Sequence, residues 1–183
     1  WPNAMMDQVS LIYSMEGCAM NRRDFLCCAG GAALGVGLAP VRAALLPPDP
    51  FFGYAFPDLN GDKVALSSLS GRPVLANFWA SWCPPCVREM PDLDALHRQY
   101  PDVAFVGLAI DTKANVQRFV QKVQVSYPLL MTGTQGIGLM RDLGNKAGGL
   151  PFTVLFNRDG RIAQVVLGEV QPDRIRAQIE QLL

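Results

Sequence analysis

Residues 77–91 read Asn77-Phe78-Trp79-Ala80-Ser81-Trp82-Cys83-Pro84-Pro85-Cys86-Val87-Arg88-Glu89-Met90-Pro91, and the fold follows from what stands on either side of the two cysteines. Ahead of them, residues 74–80 are a near-continuous apolar run, as expected of a strand covered on both faces. Behind them, Met90, Leu93, Leu96 and Tyr100 recur at helical spacing, so one stripe of a helix faces a core. Pro84 and Pro85 suit the first helical positions, where a missing N–H costs little and φ is already set. The pattern predicts a C-x-x-C pair at the junction of a buried strand and a helix N-terminus.

That junction favours thiol chemistry. Thiol–disulfide exchange needs a reachable thiolate and a second thiol that resolves the mixed disulfide. A helix N-terminus presents unpaired N–H groups and a partial positive charge, both of which favour the thiolate of Cys83. Cys86, three residues on, falls on the same face within bonding reach. The two prolines also remove donors that would otherwise bond the Cys83 sulfur. This predicts a less stabilised thiolate than a Pro-free pair would give, and a more reducing couple. Zinc is the rival for this spacing, but a structural site needs two further ligands, and residues 45–183 offer only His97 and carboxylates. No metal is expected.

Further out, residues 55–59 and 63–66 flank Asn60-Gly61, a strong hairpin signal. Residues 103–110 read as a second buried strand. Val116, Phe119, Val120 and Val123 mark an amphipathic helix. Leu129-Leu130 suggests a short strand and residues 138–143 a short helix. Residues 152–157 and 162–167 flank the turn Arg158-Asp159-Gly160-Arg161 as antiparallel strands, and Ile175, Ile179 and Leu182 place a C-terminal helix. Strands alternating with helices, then a closing hairpin and helix, predict an α/β fold with a central mixed sheet flanked by helices. Trp79 is expected in the core and Trp82 over the cysteine pair, in contact with partners. Phe51, Phe52, Tyr54 and Phe56 are read as packing, and His97 as solvated.

The bulk composition excludes several classes. The chain has 183 residues, of which 50% are hydrophobic and 17% charged, with a formal net charge of zero. Nothing there favours nucleic acid as a partner. Cys18, Cys27 and Cys28 lie in the first thirty residues, while Cys83 and Cys86 stand alone in the rest. A disulfide-stapled secreted scaffold would carry several cysteines at wider spacing.

Asn21-Arg22-Arg23-Asp24-Phe25-Leu26 is a twin arginine followed by a short Gly/Ala-rich apolar run over residues 25–39 and small residues at Val41-Arg42-Ala43-Ala44. Residues 20–44 are read as an export signal resembling a bacterial twin-arginine (Tat) leader, with cleavage after Ala43 or Ala44. Asn21 stands where Ser or Thr is usual and Cys27 where Lys is common, and the rival is an ordinary Sec signal with a chance Arg-Arg. Residues 1–19 receive no assignment, Met15 and Met20 being candidate starts. Residues 45–50, Leu45-Leu46-Pro47-Pro48-Asp49-Pro50, are read as an extended Pro-rich linker, and residues 51–183 as the domain.

The quoted stretch resembles the TlpA/ResA-like family of exported thioredoxin-fold oxidoreductases. Gly149-Leu150-Pro151-Phe152-Thr153-Val154-Leu155-Phe156 resembles the family's second signature. The strand over 103–110 and the helix over 116–123 resemble the inserted βα unit that separates this group from plain thioredoxins. The resemblance implies a thioredoxin fold with an N-terminal β-hairpin. It also implies a cis Pro151 facing the disulfide, which leaves the polar groups of Leu150 free to pair with a substrate strand. Glu89 matches a glutamate that exchanges protons with the thiols in some members; its rival reading is a surface carboxylate favoured by the helix dipole. Asn77 stands where thioredoxin has a buried acid and, being neutral, leaves any such role to Glu89.

The expectation is an exported protein-disulfide reductase acting through Cys83 and Cys86. It would draw electrons from a membrane thiol donor and pass them to oxidised protein thiols such as those of apocytochrome c. It is expected to be periplasmic and monomeric, with at most transient membrane association and no cofactor. The alternatives are a disulfide-forming oxidase and a thioredoxin-fold binding or chaperone module. A peroxiredoxin fits poorly, because Ala80 stands where its Thr would precede the reactive cysteine.

Overall fold

The computed structural model describes residues 47–183. The upstream segment 1–19, the leader 20–44 and the start of the linker 45–50 lie outside the described residues. Pro50, expected in the extended linker, instead opens a short 3₁₀ turn, Pro50–Gly53, capped by the Asp49 carboxylate, which accepts from the Phe51 N–H at 2.9 Å. Asp49 is itself tied to the domain, its N–H donating to the Gly160 carbonyl at 2.8 Å.

A small antiparallel ribbon follows, β1 (Ala55–Pro57) and β2 (Lys63–Ala65). Asn60-Gly61 is not the tight two-residue turn that its sequence predicts. The loop runs over residues 58–62, where Asp58 Oδ1 accepts from the N–H groups of Asn60, Gly61 and Asp62. This side-chain acceptor organises a wider turn than Asn-Gly alone would set.

The main sheet has the order β5-β4-β3-β6-β7, made by β3 (Val74–Trp79), β4 (Ala104–Ala109), β5 (Leu129–Met131), β6 (Phe152–Phe156) and β7 (Ile162–Leu167). The first three run parallel, while β6 and β7 are antiparallel to their neighbours. The helices are α1 (Pro84–Gln99), α2 (Lys113–Val120), α3 (Gln135–Asp142) and α4 (Pro172–Glu180). This is the expected mixed sheet between helices.

Strand period sorts the core into two layers. Leu75 and Trp79 of β3, Phe105 and Ala109 of β4 and Leu155 of β6 face one cluster, closed by Cys86, Met90, Leu93 and Leu96 of α1, Val116 of α2, and Ile175 and Ile179 of α4. The alternate residues Ala76, Phe78, Val106, Leu108, Phe152 and Phe156 face the other, closed by Leu139 and Met140 of α3 and by Phe51, Phe52 and Phe56. The central strands β3, β4 and β6 are buried throughout, which is why they read as unbroken apolar runs. On the α1 side the polar residues Asn77 and Thr153, paired across β3 and β6, are the exceptions.

Candidate active site

Strand β3 ends at Trp79, and the chain turns through Ala80–Trp82 into α1. The carboxylate of Asp111, just past the end of β4, fixes that turn. Its Oδ2 accepts from the Ser81 N–H at 3.0 Å and the Ser81 hydroxyl at 2.6 Å. Its Oδ1 accepts from the Thr112 N–H at 2.7 Å and Asn115 Nδ2 at 2.8 Å. Burial alone would raise the Asp111 carboxyl, but these donors hold it below the ordinary carboxylate value.

Cys83 is the N-cap of α1, with Pro84 and Pro85 opening the helix. The N-cap side chain normally accepts from one of the first helical N–H groups. Here the prolines supply none, and Cys83 Sγ accepts from the Cys86 N–H at 3.3 Å. The two cysteines form a disulfide with an S–S distance of 2.04 Å. Cys83 retains 5% exposure against 0% for Cys86, so only the first sulfur's residue reaches the surface. Beside it Trp82 is 64% exposed and forms one wall of a groove of about 450 Å³ that Ile110, Thr112, Gly133, Thr134 and Ile137 also line.

One helical turn beyond Cys86, Glu89 is buried at 1% exposure, which settles against a surface carboxylate. Its Oε1 accepts from Asn77 Nδ2 at 2.7 Å and its Oε2 from the Val170 N–H at 2.9 Å. Asn77 Nδ2 also donates to Thr153 Oγ1 at 2.9 Å, the residue paired with it across β3 and β6, while Asn77 Oδ1 has no partner among the described residues. Burial pushes the Glu89 carboxyl up to about 7, overriding the Val170 and Asn77 donors that lower it, and the Glu169 charge adds to the rise. A carboxyl poised there both takes and gives a proton near neutral pH.

The peptide Leu150–Pro151 is cis. Phe78 of β3 pairs with Phe152 of β6, so the register sets Leu150 and Pro151 beside the strand end from which the cysteine loop departs. Leu150 packs against the cluster containing Cys83 and Cys86. Its N–H and carbonyl have no hydrogen-bond partner among the described residues, whereas the neighbouring Gly149 and Pro151 carbonyls are occupied by Asn145 Nδ2 and the Gly168 N–H.

Trp79 is fully buried, as expected, and Trp82 is exposed. His97 differs from expectation: it is half-buried rather than solvated, edge-on to Phe105 at 5.4 Å and near Tyr127 at 6.0 Å. The aromatic packing that holds it lies toward the far end of α1, away from the cysteines. Sequence reading missed Ser81, Asp111, Thr153 and Val170. Asp111 had a usable signal, a polar residue at the carboxyl end of a buried parallel strand. Thr153 was a lone hydroxyl in an apolar run, and Val170 contributes only a backbone N–H, for which no side-chain signal exists.

The family model described as Redoxin matches residues 48–183. The thiol-disulfide oxidoreductase ResA of Bacillus cereus is 29% identical over 133 residues, covering 70% of this chain and 74% of that protein. ResA of Halalkalibacterium halodurans is 33% identical over 118 residues, covering 63% of this chain and 65% of that protein. Among solved structures, a secreted Mycobacterium tuberculosis disulfide oxidoreductase homologous to E. coli DsbE has a TM-score of 0.64 and 25% identity, covering 73% of this chain and 99% of that one.

Proposed function

The chain belongs to the Redoxin family, and from that premise we propose that it is an exported reductase whose Cys83–Cys86 dithiol reduces disulfides in client proteins. It is a thiol–disulfide oxidoreductase of thioredoxin fold. The observation that carries the assignment of roles is the helix-capping disulfide in which Cys83 alone keeps surface exposure.

In the reduced enzyme the Cys83 thiolate attacks one sulfur of a client disulfide. A Cys83–client disulfide forms, and the client's other sulfur leaves as a thiolate. Glu89, ionised, takes the proton of the Cys86 thiol. The Cys86 thiolate then attacks Cys83 Sγ, the mixed disulfide breaks, and the second client thiolate leaves, taking its proton from Glu89 or water. Two electrons have passed to the client, and the Cys83–Cys86 disulfide remains. A membrane thiol donor returns the electrons by the same exchange in reverse.

Trp82 and the groove beside it, with the unpaired backbone of Leu150 ahead of Pro151, supply the surface on which a client strand lies. Pro84 and Pro85 hold the couple toward the reducing end. Clients are exported proteins with paired cysteines, as in cytochrome c maturation, reached after export by the twin-arginine-like leader over residues 20–44. The protein works as a monomer, residues 51–183 forming the redox domain.

The test is the reduction potential of the Cys83–Cys86 couple, equilibrated against glutathione and dithiothreitol buffers. A value near that of thioredoxin, about −270 mV, or lower is expected. A value near −120 mV, the oxidising end of this fold, would replace the reductase with a disulfide-forming oxidase. Full function in Cys83→Ser would replace both with a binding module.

A further inference from the structure

Glu89 and Val170, whose N–H meets its Oε2, are each preceded by a charged residue, and those two charged residues are joined. Arg88 precedes Glu89, and Glu169 precedes Val170. Arg88 Nη2 donates to Glu169 Oε2 at 2.7 Å and Nε to Oε1 at 3.3 Å, a two-point contact on the surface. The N–H that reaches Glu89 belongs to the peptide unit joining Glu169 to Val170, so the placement of Glu169 directly sets the direction of that donor. Asn77, the other donor, sits within the sheet between Gly107 and Thr153. Val170 lies outside regular structure, between β7 and α4.

We propose that Arg88 and Glu169 are a positioning pair for the buried acid, a surface strap that aims the Val170 N–H at Glu89. The inference takes its functional consequence from the proton role of Glu89 proposed above, but the strap itself stands on the geometry.

An exposed ion pair contributes little to global stability, so a merely structural role would leave the ionisation of Glu89 unmoved. Loss of either half frees the Val170 N–H to turn away from Oε2, so the strap predicts a rise of Glu89 from both sides. Bare surface charge predicts opposite signs instead, since Glu169 is a like charge to ionised Glu89 and Arg88 an opposite one. The other titratable groups facing Glu89 are the cysteine pair at the start of α1 and the buried Tyr127, kept protonated by burial and by the Glu89 and Asp94 charges. From β3 and β6 come the neutral Asn77 and Thr153, and from α4 the apolar Ile175 and Ile179.

The experiment follows the Glu89 side-chain carboxyl by carbon NMR across pH in the disulfide form, where the cysteines do not titrate. The pH profile of client-disulfide reduction is recorded alongside. Arg88→Gln and Glu169→Gln, which both release the Val170 N–H, are each expected to raise the Glu89 midpoint by roughly 0.3–0.7 pH unit. Unmoved midpoints in both variants, or shifts of opposite sign, would overturn the strap. Raised midpoints with an unchanged rate profile would leave the strap standing and remove the proton role of Glu89 instead.

Discussion

At Cys83 the cap of the helix and the nucleophile are one side chain, and the sulfur accepts from the third helical N–H because the first two positions are prolines. Each further N–H aimed at that sulfur would stabilise the thiolate, and hence the reduced form, so the prolines act on the potential through what they lack. Pro85→Ala restores a donor next to the sulfur. It should lower the Cys83 thiol by up to about one pH unit and raise the potential by up to ~30 mV, read from thiolate absorbance and a glutathione titration. An unchanged thiolate titration would show that the restored N–H does not reach Sγ. Cys83, Cys86 and the two prolines were legible because their relation is local, a matter of spacing along one helix start. The state of Glu89 was not. Its donors are Asn77, twelve residues back, and Val170, 81 residues on, and its place on the apolar stripe of α1 reports neither.

At the scale of elements, β4 approaches its neighbours so closely on the α1 side that one position admits no side chain. A Cβ built on Gly107 would stand 2.5 Å from Leu129 Cδ2, 3.1 Å from Trp79 Nε1 and 3.2 Å from Tyr127 Cε2. The nearest atom is a flexible methyl that can retreat, but the indole and phenol are buried and have little freedom. Gly107→Ala is expected to destabilise the fold by about 1–3 kcal/mol, measured as a fall in the urea midpoint without change in slope. A neutral or stabilising result would mean that Leu129 and the two rings repack at no cost. The strands themselves were readable from their apolar runs, since double-sided burial leaves no polar alternation to misread. Loops were less so. Asn60-Gly61 carries a hairpin signal, yet Asp58 gathers three backbone donors and widens the turn. Likewise Asp111, outside every periodic segment, turned out to fix the loop that presents the cysteines.

Across the whole molecule, order of elements and chemistry of the motif pointed to one fold, and the place where the sequence departs from a plain core is the site. Asn77 breaks the apolar run of β3, and Glu89 breaks the apolar stripe of α1. Each looks like a local fault, and they meet in the interior where a hydrophobic pair would have packed without cost. That arrangement has a consequence for stability that pH should expose. Burial pushes the Glu89 carboxyl up to about 7 in the fold against an ordinary value of 4.5. Between those values the folded chain binds more protons than the unfolded one, so stability falls as pH rises through that window and levels off above it. The drop is on the order of 2–3 kcal/mol. Asp94 and Asp111 work the other way. Burial is outweighed by donors from Ser126 and by Arg98 at Asp94, and by donors from Ser81 and Asn115 at Asp111, so both are held low. Their contribution is present above the ordinary carboxylate range and is lost only as pH falls below it. Stability of the disulfide form should therefore peak near pH ~5 and decline toward ~7. Glu89→Gln keeps the hydrogen-bonding shape and cannot ionise. Its stability relative to the native chain should rise by that same 2–3 kcal/mol between pH ~5 and ~7.5, measured as paired urea midpoints across pH. A gap that stays constant over this range would mean that Glu89 ionises no less readily in the fold than in the open chain, and would leave it unsuited to hand protons to Cys86 near neutrality.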